Sequence, residues 1–395
     1  MTNLNQDSFD LHKQNKGKIQ IESRISVKNK YDLSLVYTPG VAEPCRRIAK
    51  DHSLSFDLTW RGRTVAVISD GSAVLGLGNI GPDAALPVME GKALLMKQFG
   101  GVDSVPIVIN TQDPFEIIHF VKNIAPSFAG INLEDISAPR CFQIEEELQD
   151  IGIPVFHDDQ HGTAIVVSAA LQNAAKIVGK PYESLNVVVV GAGAAGLAIS
   201  RMLLGLQCLV DTCSMIPGHK RVKNVIVVDR KGALYSGREN QNIYKEGIAS
   251  ISNIEKRQGT LSKVIVGADA VIGVSGPDAI SKEMIQSMAQ KSIVFALANP
   301  MPEIMPEDAK SAGAYIVASG RSDFANQINN VLAFPGIFQA VIRGRINNIT
   351  PQMKQIASQT LADLVEKPNV ENIIPDPFFP HLADRIADAI LKEAI

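Results

Sequence analysis

The stretch NVVVVGAGAAGLAIS (186–200) decides the fold. Four consecutive valines read as a strand buried on both faces, the kind found in parallel sheets. Gly191, Gly193 and Gly196 follow as a G-x-G-x-x-G, and the Ala-Ala-Gly-Leu-Ala run opens a helix. The first glycine permits the tight turn and the second lets the backbone approach a pyrophosphate. The third lets helix and strand pack closely, while the helix N-terminus faces the anion. A structural βαβ unit can carry the same glycines, but strand, turn and helix occur here in the order that a dinucleotide site requires. Gly191, Gly193, Ala194, Ala195 and Gly196 are therefore the expected cradle.

Working outward, the next strand, NVIVVD (224–229), ends in Asp229, where a carboxylate would take the ribose hydroxyls. Asp229 follows Gly196 by 33 residues, against about 20 in the usual fingerprint, so an insertion is expected at 208–223. Asp229 favours NAD because it repels a 2′-phosphate. Arg230 could accept that phosphate and keeps NADP open. Strands DAVIGVSG (269–276), IVFALANP (293–300) and AYIVASG (314–320) continue the pattern downstream.

An earlier set has the same character: TVAVISD (64–70), VPIVIN (105–110), GINLED (130–135) and IPVFHDD (153–159). Residues 162–178 read as a helix stopped by Gly179 and Pro181. Residues 352–366 and 381–394 also read as helices, with Leu382, Ile386, Ala389 and Ile390 on one face of the last. The fold class is α/β with two domains, an N-terminal mostly parallel α/β catalytic domain and a Rossmann-type NAD-binding domain.

Composition excludes several classes. The 395 residues suit two or three domains, and 46% hydrophobic content suits a large core. Thirty-eight basic against 41 acidic residues, one Trp and 5% aromatics argue against nucleic-acid binding. No run reaches the roughly 18 apolar residues of a membrane span, and the polar N-terminus has no signal-peptide character. Cys45, Cys141, Cys208 and Cys213 are too scattered for a disulfide framework and read as free thiols. These features predict a cytoplasmic protein with no membrane partner.

Ligands in open α/β sheets bind beyond the carboxyl ends of strands. Asp70, Glu134, Asp135, Asp158 and Asp159 all fall there. Carboxylates gathered at one edge repel unless a cation joins them, and oxygen donors suit Mg²⁺ or Mn²⁺. Separate solvated loop acids would give the same letters. His157 and His161 straddle the strand end and read as loop or packing residues. Lys92, at an apparent helix start beside apolar residues, is either a surface lysine or a desolvated one whose pKa drops towards that of a general base. Tyr37, before a Pro-Gly turn, is either a packing residue or a general acid.

Taken together, SLVYTPGVAEPC (34–45), SDGSAVLGLGNIGPDAALPVMEGKALLMKQFGGVDSVPI (69–107), INLEDISAPRCF (131–142), PVFHDDQHGTA (154–164), GAGAAG, ALANP (296–300) and NQINNVLAFPGIF (326–338) resemble the malic enzyme family in its short prokaryotic form. The resemblance runs from about residue 20 to the C-terminus. It implies oxidative decarboxylation of L-malate to pyruvate and CO₂ with reduction of NAD(P)⁺, and decarboxylation of oxaloacetate as well. By the same resemblance Tyr37 protonates the enol carbon and Lys92 takes the C2 hydroxyl proton. Asp158 positions Lys92, and Glu134, Asp135 and Asp159 ligate the metal. Asn299, Asn329 and Asn330 hold substrate or nicotinamide.

The resemblance also implies a homodimer or higher homo-oligomer, and it assigns residues 330–395 to the catalytic domain of 1–159, with 160–329 as the dinucleotide domain. One departure matters. Larger members carry an arginine after the Asp-Gly of the glycine-rich block, and this chain has Asp70-Gly71-Ser72-Ala73. The substrate carboxylate then falls to Ser72, backbone amides or the metal. Three competing readings remain at this stage: a malolactic conversion with internal NAD⁺ recycling, an amino-acid dehydrogenase, and a silent NAD-binding regulatory protein.

Overall fold

The computed structural model describes residues 4–209 and 212–394. Helices α1 (Leu4–Asn15), α2 (Lys30–Val36), α3 (Ala42–Lys50) and α4 (Ser55–Leu58) come first and bury none of their residues. Leu4, Phe9, Ile21, Ile25, Leu33 and Leu35 are among the apolar side chains left exposed along this segment.

The first sheet contains β1 (Thr64–Ser69), β2 (Asp103–Val108), β3 (Gly130–Leu133) and β4 (Val155–His157). Their order is β2-β1-β3-β4 and every pairing is parallel. Every residue of β1 is buried, as its unbroken apolar character requires. Helices α5 (Pro82–Gly100), α6 (Pro114–Ile124) and α7 (Arg140–Glu146) form the connections.

The long helix α8 (Asp158–Val178) follows β4 without a break and ends at Gly179 in the left-handed conformation. It starts four residues earlier than its apolar pattern suggests. Asp158 and Asp159 therefore sit in its first turn, where negative charge complements the helix dipole.

The second sheet begins with β5 (Asn186–Val190) and α9 (Ala194–Leu203). The expected insertion is an antiparallel hairpin of β6 (Leu206–Leu209) and β7 (Thr212–Met215), with residues 210 and 211 outside the described ones. Cys208 and Cys213 are cross-strand partners in it and form a disulfide, so only Cys45 and Cys141 are free among the described residues. The free-thiol reading of the pair fails because hairpin register, not sequence spacing, brings the sulfurs together.

β8 (Asn224–Asp229), β9 (Gly232–Ala233), α10 (Ile243–Ala249), α11 (Leu261–Val264), β10 (Ala270–Gly273), α12 (Lys282–Gln286), β11 (Ile293–Ala296), α13 (Pro306–Ser311) and β12 (Ile316–Ser319) complete this half. The order β12-β11-β10-β5-β8-β9 is parallel except at β9. Three helices close the chain: α14 (Phe334–Gly344), α15 (Pro351–Asp363) and α16 (Leu382–Ala394). Helices α14 and α16 pack on α5, and α15 packs on α8. No helix among the described residues is long and apolar enough to cross a membrane.

Candidate active site

The parallel strands of the first sheet deliver their carboxyl ends to one edge. Glu134 and Asp135 follow β3, and Asp158 and Asp159 follow β4. Lys92 reaches the same point from the middle of α5, which begins at Pro82 rather than near the lysine. Its Nζ lies 2.5 Å from Asp158 Oδ2 and 2.9 Å from Glu134 Oε1, and it stands 4.3 Å over the Phe334 ring of α14.

Lys92 is buried, the desolvated of the two alternatives, but its pKa moves the other way from the one expected. Burial alone would lower it. The Asp158 and Glu134 carboxylates outweigh that effect and hold the amine as an ammonium.

Carboxylate oxygens of Glu134, Asp135 and Asp159 all lie within 4.8 Å of one another. Asp135 N–H donates to Asp159 Oδ2 at 2.8 Å, and Asn132 Nδ2 donates to Glu134 Oε2 at 2.8 Å. Asp135 holds a left-handed backbone, φ 54°, and its Oδ2 is buried without a hydrogen-bond partner. Burial and the Asp159 charge push the Asp135 carboxyl up to about 8, and burial pushes Glu134 well up too. Three crowded oxygen donors, one with an unsatisfied oxygen, fit a hard divalent cation such as Mg²⁺ or Mn²⁺.

Gly162 explains how Asp158 fits. A Cβ there would lie 1.9 Å from Asp158 Oδ1 and 3.1 Å from Asn330 Cβ. The missing side chain thus lets the Asp158 carboxylate and Asn330 share one space. Asn329 caps the following turn by accepting Val331 N–H at 2.9 Å. Asn299 follows β11 at the carboxyl edge of the second sheet, half-buried.

The fingerprint glycines have the backbone geometry that a tight dinucleotide turn needs. Gly191 has φ 115°, and a Cβ on Gly196 would meet Gly191 O at 1.8 Å. Gly193 faces open space, and α9 starts at Ala194 and Ala195 with no side-chain cap on its N–H groups. That leaves donors for a pyrophosphate.

Asp229 departs from the expectation of a free ribose acceptor. Arg238 spans both its oxygens at 2.9 and 2.6 Å, Lys245 Nζ adds 2.8 Å and Lys231 N–H adds 2.9 Å. Burial opposes ionisation there, but these donors hold the carboxyl well below its usual range. Arg230 is exposed beside it.

Ser72 also departs. Its hydroxyl donates to Asp70 Oδ1 at 2.6 Å and accepts Ser137 N–H at 2.9 Å, so it braces the loop. Sequence reading passed over Arg140, which lies in the quoted SAPRCF block. Arg140 Nη2 reaches Ser137 Oγ at 2.9 Å and Asp70 Oδ2 at 3.4 Å, and its Nε is buried without a partner.

Tyr37 is not brought to the cluster. It caps α2 at the surface, 67% exposed, and among the described residues no hydrogen bond or ring contact joins its phenol to Lys92. His157 and His161 pack as expected. His157 is fully buried, and His161 Nε2 bonds Glu145 at 2.8 Å.

A dinucleotide fold beside a carboxylate cluster and a buried lysine defines an oxidoreductase of the two-domain α/β type. Comparison with known proteins makes the assignment specific. The "Malic enzyme, NAD binding domain" family matches residues 160–395, and "Malic enzyme, N-terminal domain" matches 14–114. The bifunctional malic/malolactic enzyme of Bacillus subtilis is 50% identical over 396 residues, 99% of this chain and 93% of that protein. An NADP-dependent malic enzyme of Halomonas elongata is 42% identical over 409 residues, 99% and 93% of the two chains. The crystal structure of an NAD-dependent malic enzyme from Thermotoga maritima superposes with TM-score 0.90 at 47% identity, covering 98% of this chain and 99% of that one. The chain belongs to the malic enzyme family.

Proposed function

We propose that this protein oxidatively decarboxylates L-malate to pyruvate and CO₂, using NAD⁺ or NADP⁺ and a divalent cation. The observation that carries the reading is the buried Lys92, hydrogen-bonded to Asp158 beside three clustered carboxylates.

In this reading residues 1–159 with 330–395 form the catalytic domain and 160–329 the dinucleotide domain. The packing of α14 and α16 on α5 supports that division. Glu134, Asp135 and Asp159 would hold the cation, which would supply Lewis-acid stabilisation of negative charge developing on the substrate. The dinucleotide supplies the hydride acceptor.

The chain's own groups do the rest. With Glu134 committed as a ligand, Lys92 keeps Asp158 as its remaining anion. Lys92 must shed its own proton before it can take that of the C2 hydroxyl. Drawing Glu134 to the cation would remove one of the two carboxylates that hold the amine as an ammonium, and Asp158 would steady the ammonium that re-forms. Asn330 and Asn299 orient substrate and nicotinamide, with Asn329 fixing the turn that presents Asn330. Arg140, which bonds Ser137 and Asp70 and keeps its Nε unpartnered, takes the carboxylate role that Ser72 is too occupied to fill.

Tyr37 is the proton donor to C3 only when its segment is docked on the site. The exposed apolar side chains around it, Leu33, Leu35 and Val36, support burial of this face in a homo-oligomer. The proposal keeps the enzyme cytoplasmic.

A spectrophotometric assay with L-malate, each nicotinamide cofactor, and Mn²⁺ or EDTA tests the reading. Net cofactor reduction with stoichiometric pyruvate, abolished by EDTA, is expected. The Bacillus subtilis relative named malic/malolactic favours one second reading: lactate formed from malate without net NADH would establish malolactic conversion instead.

A further inference from the structure

Glu303, in the loop after β11, is a fully buried carboxylate that takes no part in the lysine–carboxylate cluster. Among the described residues its oxygens are met by N–H and O–H groups. Ser275 N–H donates to Oε1 at 2.6 Å, and the Ser275 hydroxyl donates to the same oxygen at 3.2 Å. Ala298 N–H donates to Oε2 at 3.1 Å. Burying a carboxylate is costly, and an apolar side chain would fill the space with less penalty. What the acid adds is acceptance from two loops at once.

Both loops lie at the carboxyl edge of the second sheet. Ser275 follows β10 and Ala298 follows β11. Gly273, the last residue of β10, leaves the room that the carboxylate occupies: a Cβ there would lie 2.5 Å from Glu303 Cδ. The main chain of Glu303 also accepts Ile280 N–H at 3.0 Å. The far end of the loop after β10 is thus pinned by backbone, and its near end by the side chain.

The two pinned points border the dinucleotide turn and the meeting of the two halves. A Cβ on Gly191 would lie 2.5 Å from Val274 O, so the loop before Ser275 rests against the fingerprint turn. Asn299 adjoins Ala298, and a Cβ on Gly76 of the first half would lie 2.2 Å from Asn299 O. In the sheet order β5 separates β8 from β10 and β11. The end of β8 marks the adenosine side of such a site, so the loops that Glu303 ties together border the nicotinamide side.

We propose that Glu303 is a positioning residue for the nicotinamide half of the dinucleotide site. One oxygen holds Ser275 beside the fingerprint turn, and the other holds Ala298 and with it Asn299 where the two halves meet. The inference rests on the dinucleotide reading of the second sheet and adds the residue that sets one end of that site.

Calorimetric titration of the full-length protein tests this role without turnover. The ligands are NAD⁺ or NADP⁺, whichever the parent binds more tightly, and the matching adenosine half, 5′-AMP or 2′,5′-ADP. Glu303→Gln keeps one acceptor oxygen but turns an amide NH₂ towards a backbone N–H, which releases one of the two loops. The dinucleotide should then bind about tenfold more weakly, while the adenosine half stays within about twofold of the parent. Gly273→Ala keeps the carboxylate but crowds its Cδ, and should give the same selective loss. It carries the test where the glutamine variant fails to fold. Unchanged dinucleotide affinity in either folded variant, or an equal loss for the adenosine half, overturns the proposal. These titrations contain no malate, so failure of the malate reading shows separately, in the spectrophotometric assay.

Discussion

Lys92 Nζ and Asp158 Oδ2 are 2.5 Å apart, and both side chains are sealed from solvent. Asp158 precedes the candidate metal ligand Asp159 in the same helical turn. The turn therefore fixes two things together: the protonation partner of Lys92 and the position of one metal ligand. A general base contributes about 10²–10⁴ in rate. Lys92→Ala should cut kcat by that order while leaving the dissociation constant for NAD⁺ or NADP⁺ within a few-fold of the parent. Stopped-flow turnover and fluorescence titration of the cofactor separate the two. Turnover like that of the parent would remove Lys92 from the mechanism.

Gly162 offers a sharper version of the same test, because the substitution leaves Lys92 and Asp158 in place. A methyl group 1.9 Å from Asp158 Oδ1 must displace that carboxylate. Gly162→Ala should lower kcat by about 10–100-fold through misplacement, since an error of about 1 Å is costly in an oriented site. The Gly191–Gly196 turn belongs to the other sheet, so cofactor affinity should be unchanged. An alanine variant with full turnover would show that the Lys92–Asp158 contact is dispensable.

The metal cluster predicts a pH dependence with a definite sign. Asp135 is pushed up to about 8 by burial and by Asp159, whereas a bound cation requires the ionised carboxylate. Below pH 8 metal binding must expel that proton, so apparent Mn²⁺ affinity should fall about tenfold per pH unit as pH drops from 8 towards 6. Above 8 the dependence should flatten. Calorimetry in buffers of different ionisation enthalpy reads the released proton directly. Asp159→Ala should weaken Mn²⁺ by roughly 10–100-fold at any pH, and an unchanged titration would refute its ligand role.

Both sheets were legible in the sequence because each strand is short, apolar and stopped by a polar residue, as in TVAVIS and NVVVV. The dinucleotide turn was legible because glycine has no substitute where Gly196 meets the Gly191 carbonyl. What escaped was set by distance in the chain. The partners of Asp229 are Arg238 and Lys245, on a later loop and helix, and no spacing rule links them to it. The Lys92 pKa moves upward because residues 134 and 158 converge on residue 92 through the sheet, so a reading of the local segment sees only desolvation. The start of α8 was misplaced because its first turn is polar for an electrostatic reason that an apolar pattern does not register.

Arg140 gives a prediction about substrate binding. Its guanidinium is anchored at one end on Ser137 and Asp70, while its Nε is unpartnered. A charge-assisted pair with a carboxylate is worth roughly 1.5–3 kcal/mol. Arg140→Gln should therefore raise KM for malate by roughly 10–100-fold, with a smaller change in cofactor KM. Steady-state kinetics varying malate and cofactor independently give the answer. A malate KM within twofold of the parent would return the carboxylate role to backbone amides or the cation.

Cofactor choice follows from the Asp229 contacts. An aspartate at the end of the second dinucleotide strand discriminates against NADP⁺ when its charge and lone pairs are free to meet the ribose. Here Arg238, Lys245 and Lys231 N–H already fill both oxygens, and Arg230 stands exposed beside them. The local charge is net positive, so a 2′-phosphate meets attraction rather than repulsion, and NADP⁺ should be a competent cofactor. Arg238→Ala should release Asp229 and expose its charge. The ratio of kcat/KM for NADP⁺ over NAD⁺ should then fall about tenfold, the size of one charge-assisted contact. Binding of 2′,5′-ADP against 5′-AMP, measured by calorimetry without turnover, should shift in the same direction. A ratio that stays fixed, or that rises, would mean Asp229 is released from Arg238 when the cofactor binds and faces the ribose after all.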